Sequence, residues 1–316
     1  MTSINPKLER LLVALLVLIP LLSACSPAAG MDKPAVSPTT QPLAPPASPT
    51  LTPEPTRPLY TPGELVDYTV QSGDTLPGLA GRFNTSVAEI RSANPIIPQE
   101  ATTLPPGMPM KIPIYYRPFW GSTFQILPDA RFVNGPAEIG VDPVAFVNSQ
   151  PGWLKSYSTY VGNQNRSGGE MVEYIAENYS ISPRLLLALL EFKTGALSQP
   201  ESTALSEKYP LGYRDLYHPG LPSQLSLVAN TLNNGFYGWR LGSLTSFSLP
   251  NGRLENIDPW QNAATAALRT LFSITETAES FEYATSSQGY LGVYTTLFGD
   301  PWADPGPTIP GSLTQP

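Results

Sequence analysis

The first regular pattern of hydrophobic positions in the chain lies between residues 64 and 115. Val66, Tyr68 and Val70 alternate with polar residues, which predicts a short strand. The next apolar positions recur at helical spacing, and they are Leu76, Leu79, Ala80 and Phe83. Pro77 falls in the first turn of this predicted helix, where proline is tolerated.

Turn and cap residues divide this segment further. Gly73 and Asp74 form a predicted turn, and we expect the Asp74 carboxylate to cap the helix that follows. The run from Ser86 to Glu89 has the spacing of a capping box and predicts a second helix that ends at Asn94 and Pro95. A closing strand is predicted by Met110, Ile112 and Ile114, so the unit has the order strand, helix, helix, strand.

The rest of the chain contains the patterns of several helices. They are predicted at Gly168–Tyr179, Ser182–Lys193, Ser223–Asn233, Asp258–Phe272 and Gly289–Phe298. The run Leu185–Leu190 is apolar on every face, which is typical of a central buried helix. Residues 234–240 and 247–253 are rich in glycine and aromatic residues and are predicted as connections; most of the aromatic side chains Phe236, Tyr237 and Trp239 are expected to fill the core. The predicted fold class is α+β, with a small βααβ unit followed by a mainly α-helical domain.

The N-terminus has the pattern of an export signal. Lys7 and Arg10 precede the apolar stretch Leu11–Leu22, which is short for a helix that must cross a bilayer of about 30 Å. The next residues, which end at Cys25, resemble a bacterial lipobox. The resemblance implies a diacylglycerol on Cys25 and a membrane anchor of several acyl chains. The alternative is an ordinary cleaved signal peptide in which the cysteine is incidental.

Composition adds a tether and excludes one class of partner. Residues 25–63 are rich in proline, threonine, serine and alanine, so they cannot bury enough surface to fold alone. The formal charge of the chain is −7, and it is about −8 without residues 1–24. This is the wrong sign for binding phosphates, and we expect no nucleic-acid partner.

The segment around Tyr68–Leu76, continuing to Ile114, resembles a LysM domain. The resemblance implies a module that binds N-acetylglucosamine units of peptidoglycan or chitin in a shallow groove between two loops. The groove residues that it implies are Ser72, Gly73, Asp74, Thr75 and Leu76 in the first loop and Asn94, Pro95, Ile96 and Ile97 in the second, with Ile96 and Ile97 as an apolar floor. The alternative is that Asp74 and Asn94 are only cap and turn residues.

The segment from Ser182 to Gly195 resembles the lysozyme-like domain of soluble lytic transglycosylases. In that family the helix ends in Glu-Ser-Gly, and the glutamate protonates the glycosidic oxygen. In this chain Lys193 stands at the glutamate position, and Glu191 lies two residues earlier, about 200° away around a helix. The catalytic motif is therefore degenerate.

Other catalytic chemistry is restricted by residue counts. One histidine, His218, and one cysteine do not supply the usual ligands of a hydrolytic zinc site, and neither a metal nor another cofactor is expected. Carboxylate catalysis is the enzymatic option, with Glu191 as the candidate acid and Glu170 and Glu173 as further candidates. Each has a structural alternative: Glu191 as the partner of Arg184 or another basic group, and the other two as acids in a first helical turn.

The interpretation is a lipoprotein of the cell envelope, anchored on the extracytoplasmic side of the membrane. Its predicted parts are a signal peptide (1–24), a tether (25–63), a LysM domain (64–115), a helical lysozyme-like domain (116–299) and a proline-rich tail (300–316). The predicted function is binding of peptidoglycan or another N-acetylglucosamine polymer. The alternatives are a peptidoglycan-cleaving transglycosylase or muramidase and a scaffold that recruits a cell-wall hydrolase as its partner.

Overall fold

A computed structural model describes residues 58–101 and 104–306. The predicted apolar stretch Leu11–Leu22, the lipidation site Cys25 and most of the predicted tether lie outside the described residues. Within the described ranges the chain has an α+β fold, as predicted, with paired short strands and a mainly helical second part. No helix in this part of the chain is both long and apolar enough to cross a membrane.

The N-terminal unit has the predicted βααβ order. Its elements are β1 (Glu64–Thr69), α1 (Leu76–Phe83), α2 (Val87–Ala93) and β2 (Pro109–Ile114). The two strands are antiparallel, with Val66 opposite Ile112 and Tyr68 opposite Met110. Because side chains alternate across a strand, these apolar residues share one face and cover the helices in a core of their own.

The helix caps of this unit differ in one position from the prediction. The hydroxyl of Thr75, not the carboxylate of Asp74, accepts the hydrogen bond from the Gly78 amide at the start of α1. Asp74 instead faces the interior of the unit. The capping box of Ser86 and Glu89 at α2 is confirmed.

The second part of the chain contains the remaining helices and two short hairpins. The helices are α3 (Pro143–Ser149), α4 (Gly168–Tyr179), α5 (Pro183–Thr194), α6 (Ala204–Lys208), α7 (Leu221–Leu241), α8 (Ala263–Thr275), α9 (Ala278–Ala284) and α10 (Tyr290–Phe298). The hairpins pair β3 (Ser158–Val161) with β4 (Gln164–Ser167) and β5 (Ser246–Ser248) with β6 (Leu254–Asn256). As predicted, Leu185–Leu190 are fully buried, so α5 is the central helix of the core.

The predicted connection at residues 234–240 is wrong, because these residues continue α7 to Leu241. Gly235 is not a turn residue: a Cβ at this position would lie 2.7 Å from the Cα of Ala267 on α8. The glycine therefore permits close packing of two helices. As expected, Phe236 and Trp239 are buried in the core, whereas Tyr237 is only partly buried.

The predicted start of α8 is also wrong. The helix begins at Ala263, where the side chain of Asn262 accepts a hydrogen bond from the Thr265 amide. Asp258 forms a turn before it, in which its carboxylate accepts from the Trp260 amide. The short helices α3, α6 and α9 were not predicted, because five to seven residues show too little periodicity to be recognised.

The LysM-like unit packs against the end of α7. A Cβ on Gly78 of α1 would lie 2.5 Å from the carbonyl oxygen of Arg240, and one on Gly242 would lie 2.8 Å from the Cα of Gly78. The backbones therefore meet directly. Arg82 of α1 reaches across the same contact and donates to the carbonyl oxygen of Trp239 at 3.3 Å.

A buried carboxyl group lies near the start of α5. Glu138 is 5% exposed, and its carboxyl oxygens have no hydrogen bond of normal geometry in the described chain. Burial raises its pKa to about 7, although the nearby Arg184, whose Nε lies 3.8 Å from the carboxyl oxygen, the Ser182 hydroxyl and Arg131 favour ionisation. Burial raises the pKa of the Tyr290 and Tyr294 hydroxyl groups, and the nearby Glu138 carboxylate raises both further.

Glu138 should make the stability of the protein depend on pH. Its pKa is higher in the folded chain than the ordinary value of 4.5, so its favourable contribution is complete below about pH 4.5 and is lost as the pH rises through about 7. Glu138→Gln removes the ionisation. Between pH 5 and pH 8 we expect the free energy of unfolding of the variant to rise above that of the parent by up to about 3 kcal/mol. The measurement is urea unfolding at each pH.

The control is Glu100→Gln, which changes an exposed carboxylate in the same way. Its free energy of unfolding should follow the parent at every pH. If the free energies of unfolding of Glu138→Gln and the parent depend on pH in the same way, the raised pKa of Glu138 is contradicted.

Candidate functional site

The candidate glycan site consists of the two loops that the sequence predicted, residues 72–76 and 94–97. The structure divides the predicted residues into a buried and an accessible group. Ser72, Asp74, Leu76, Asn94 and Ile97 are buried. Gly73 and Thr75 are partly exposed, and Pro95 and Ile96 are exposed.

Asp74 is held inside the LysM-like unit by three donors. Its carboxylate accepts hydrogen bonds from the Tyr68 hydroxyl at 2.7 Å, the Gln71 amide at 2.7 Å and the Arg82 guanidinium at 2.9 Å. The side chains of Asp74 and Arg82 are 0% and 2% exposed. Burial would lower the pKa of Arg82, but the Asp74 carboxylate more than offsets this and the pKa is raised. Asp74 is therefore a structural residue, and its side chain does not reach a ligand at the surface.

Asn94 is also used within the unit. Its side-chain amide donates to the carbonyl oxygens of Ile90 at 2.7 Å and Lys111 at 2.6 Å, and its oxygen accepts from the Lys111 amide at 2.8 Å. These bonds join the end of α2 to β2. Asn94 therefore fixes the position of the second loop, which agrees with the alternative that it is a turn residue.

The predicted apolar floor is reduced to one side chain. Ile96 is 84% exposed, whereas Ile97 is 6% exposed and belongs to the core of the unit. Ile97 could not be assigned from the sequence because two consecutive isoleucines in a loop give no period. Pro95 and Ile96 form the accessible apolar surface of the second loop.

These loops are suited to binding an uncharged ligand. Their acidic side chain is neutralised by Arg82, and the accessible groups are apolar side chains and backbone. Gly73 has a φ of 82°, so the first loop turns without a side chain at that position. Within these two loops the one acidic side chain, Asp74, is buried, and the accessible apolar surface is formed by Pro95 and Ile96.

The candidate catalytic glutamates lie in the helical part. Glu191 does not pair with Arg184; its carboxylate accepts hydrogen bonds from the amides of Leu197 at 2.8 Å and Ser198 at 3.2 Å. It thereby holds the loop that follows α5. The side chain of Arg184 lies beside Glu138 instead.

The two candidate glutamates of α4, Glu170 and Glu173, differ in their surroundings. Glu170 closes a capping box with Ser167, whose backbone and hydroxyl hydrogen bonds lower the pKa of its carboxyl group. Burial and then the neighbouring Glu177 and Asp142 raise the pKa of Glu173. A catalytic role for Glu191, Glu170 or Glu173 stays a prediction.

No group of three or more histidine, cysteine, aspartate and glutamate side chains in the described ranges is arranged to hold a metal ion. His218 lies at the surface, where its Nδ1 is 2.9 Å from the Asp215 carboxylate. The amides of Tyr217 and His218 donate to the same carboxylate, so Asp215 organises a turn.

Comparison with known families identifies both parts of the chain. The model described as "LysM domain" matches residues 68–113. The model described as "LasA, N-terminal domain" matches residues 125–311, more than half of the chain. The chain belongs to the LasA N-terminal domain family. The match to the LasA family runs through the helical part and past the predicted boundary at residue 299.

Individual relatives agree with this assignment. Protease LasA of Pseudomonas aeruginosa, strain UCBPP-PA14, is 28% identical over 151 residues, which are 48% of this chain and 35% of the relative. Protease LasA of the PAO1 strain matches with the same identity and coverage. The aligned region thus spans about a third of the length of these curated relatives. No solved structure matches the chain.

The buried pair of Asp74 and Arg82 should be essential for stability. Arg82→Met leaves the Asp74 carboxylate buried without its cation, which typically costs about 3–5 kcal/mol. We expect a loss of this size in the free energy of unfolding, measured by urea denaturation at pH 7. Arg82→Lys keeps the charge and should lose less.

The matched control is the exposed pair of Lys111 and Asp67, whose side chains are 51% and 86% exposed. Lys111→Met should cost less than about 1 kcal/mol, since exposed ion pairs contribute little. Similar losses in the two variants would show that the buried pair has no special role.

Proposed function

We propose that the protein is a lipoprotein of the cell envelope that binds the glycan of peptidoglycan through its LysM domain. The observation that carries the proposal is the LysM domain at residues 68–113, which supports binding of N-acetylglucosamine-containing glycans. The LasA family of the helical domain supports an extracellular or envelope location.

The accessible part of the loops defines how the glycan is bound in this proposal. Ile96 and Pro95 contact the apolar face of a sugar ring, and the backbone around Gly73 and Thr75 pairs with its polar groups. A shallow surface of this kind gives weak affinity for a single unit. Repeated encounters along a polymer and attachment near the wall then provide retention.

Membrane anchoring is a separate part of the proposal. It is supported by the basic residues, the short apolar stretch and the lipobox-like residues before Cys25. Two or more acyl chains on this residue would give stable attachment. The polar, proline-rich residues 26–62 would then hold the LysM domain away from the membrane at up to about 3 Å per residue.

The LasA relatives support a cell-wall-related setting for the helical domain. These relatives are named as proteases, and the aligned region covers 35% of their length. We therefore propose a cell-wall-related role for the LasA-like domain without assigning it protease activity. Recruitment of a cell-wall hydrolase and a lysozyme-like domain at residues 116–299 stay predictions.

Binding is favoured over glycan cleavage by the positions of the carboxylates. Glu191 is engaged with the loop after α5. Glu138 has a pKa suited to an acid, but its side chain is 1% exposed. A glycan-cleaving enzyme needs an acid that reaches the glycosidic oxygen.

Ile96→Ala should weaken binding to purified peptidoglycan on the order of tenfold, because the exposed apolar contact is lost. The measurement is co-sedimentation of the protein with the insoluble polymer over a range of polymer concentrations. Soluble muropeptides are followed by mass spectrometry in the same samples.

Ile139→Ala is the matched control, because Ile139 is 85% exposed and lies in the helical part. It should bind like the parent. Equal binding by all three proteins would exclude the second loop as the contact. Release of muropeptides that disappears in Glu191→Gln would identify an enzyme and replace the proposal.

Cys25→Ser should abolish lipid attachment, since this is the single cysteine of the chain. The measurement is metabolic labelling with an alkyne fatty acid, followed by fractionation of membranes and soluble proteins. Ser26→Ala changes the neighbouring residue and should keep the label. Labelling that persists in Cys25→Ser, or is absent from the parent, would disprove the anchor.

A further inference from the structure

The docking of the LysM domain places its first loop beside the LasA-like domain. Helix α1 begins directly after this loop and meets the end of α7 at Gly78 and Gly242. A second contact packs Phe83 edge-on against Trp260, with ring centres 5.1 Å apart. Because Gly78 and Phe83 are buried in these two contacts, they hold the loop against the LasA-like domain.

An open cleft of about 520 Å³ lies at this junction. The LysM domain contributes Gln71, Ser72 and Gly107 to its wall. The LasA-like domain contributes Gln125, and residues near the C-terminus contribute Trp302. Ser72 is also a residue of the predicted glycan groove, so the cleft borders the first LysM loop.

The cleft is electrically balanced. Among its described lining residues the charged ones are Asp129 and Arg240, and they form an ion pair of 2.7 Å. The second oxygen of Asp129 accepts a hydrogen bond from the Ala264 amide at 2.9 Å. Neither sign of charge is left in excess, which disfavours a phosphate or a cation as the ligand.

Trp302 provides an aromatic wall. It is 38% exposed, and its amide donates to the Asp300 carboxylate at 2.9 Å. Arg131 binds the carbonyl oxygen of Asp304 at 2.7 Å and thereby holds the same segment against the LasA-like domain. The indole of Trp302 and the amide side chains of Gln71 and Gln125 line the cleft together, which is a suitable surface for a neutral sugar with its apolar face and hydroxyl groups.

We propose that this cleft is a second sugar subsite, so that the LysM domain and the LasA-like domain bind neighbouring parts of one glycan chain. The inference rests on the proposed glycan-binding function and extends it beyond the LysM domain. The ligand is an oligosaccharide long enough to lie on the LysM loop and to enter the cleft beside Trp302. The protein then distinguishes long from short oligosaccharides, because only a long one reaches both domains.

Calorimetric titration of the whole, detergent-solubilised chain with N-acetylglucosamine oligomers of two to six units tests the inference. The parent should bind longer oligomers more tightly. Trp302→Ala should weaken binding of the longest oligomer on the order of tenfold and leave the shortest unchanged. Trp302→Phe keeps an aromatic ring and should retain most of the increase in affinity with oligomer length.

The control is Tyr217→Ala, which removes an aromatic side chain that is 85% exposed elsewhere. It should follow the parent at every length. Binding by Trp302→Ala that equals the parent at all lengths, with Ile96→Ala still weakened, would overturn the second subsite alone. Affinity of the parent that does not rise from two to six units would also overturn it. Failure of the parent to bind any oligomer would remove the proposed function together with the inference.

Discussion

The buried ion pair of Arg82 and Asp74 connects the parts of this structure on which function depends. Asp74 holds the turn that leads into the first LysM loop, because it accepts from the Gln71 amide and the Tyr68 hydroxyl. Arg82 neutralises this carboxylate and also donates to the carbonyl oxygen of Trp239 at the end of α7. Two charges removed from water are tolerable only when each is satisfied by several partners, as they are here. The same guanidinium therefore shapes the loop and joins the LysM domain to the LasA-like domain.

Local features of the fold were predictable because their causes lie within a few residues. The capping box of Ser86 and Glu89 is an example, since both hydrogen bonds form within one helical turn. The buried helix α5 was predictable for a similar reason: apolar residues on all sides leave no face for solvent. The glycines of α7 were misinterpreted because Gly235 serves the contact with Ala267, which lies on another helix.

The same distinction applies to the candidate site. The two loops were found from the order of turn, caps and strands, but the accessible residues within them were not. The resemblance to LysM domains implied a binding role for Asp74 and Asn94, yet their partners Arg82 and Lys111 lie on other elements. The cleft at Trp302 requires the docking of the two domains and the return of the chain near its end. No pattern within either segment indicates that they meet.

The direct backbone contact between Gly78 and Gly242 also has a mechanical consequence. A force applied at the LysM loops would pass from α1 to the end of α7 through a contact in which the backbones meet directly and which the Arg82 side chain also crosses. Close-packed contacts of this kind transmit strain instead of absorbing it. A pull on the LysM loops is therefore felt in the helical core itself. The LasA-like domain is in this sense a firm support for the LysM domain, because backbone contact with residues at the end of α7 sets the position of α1.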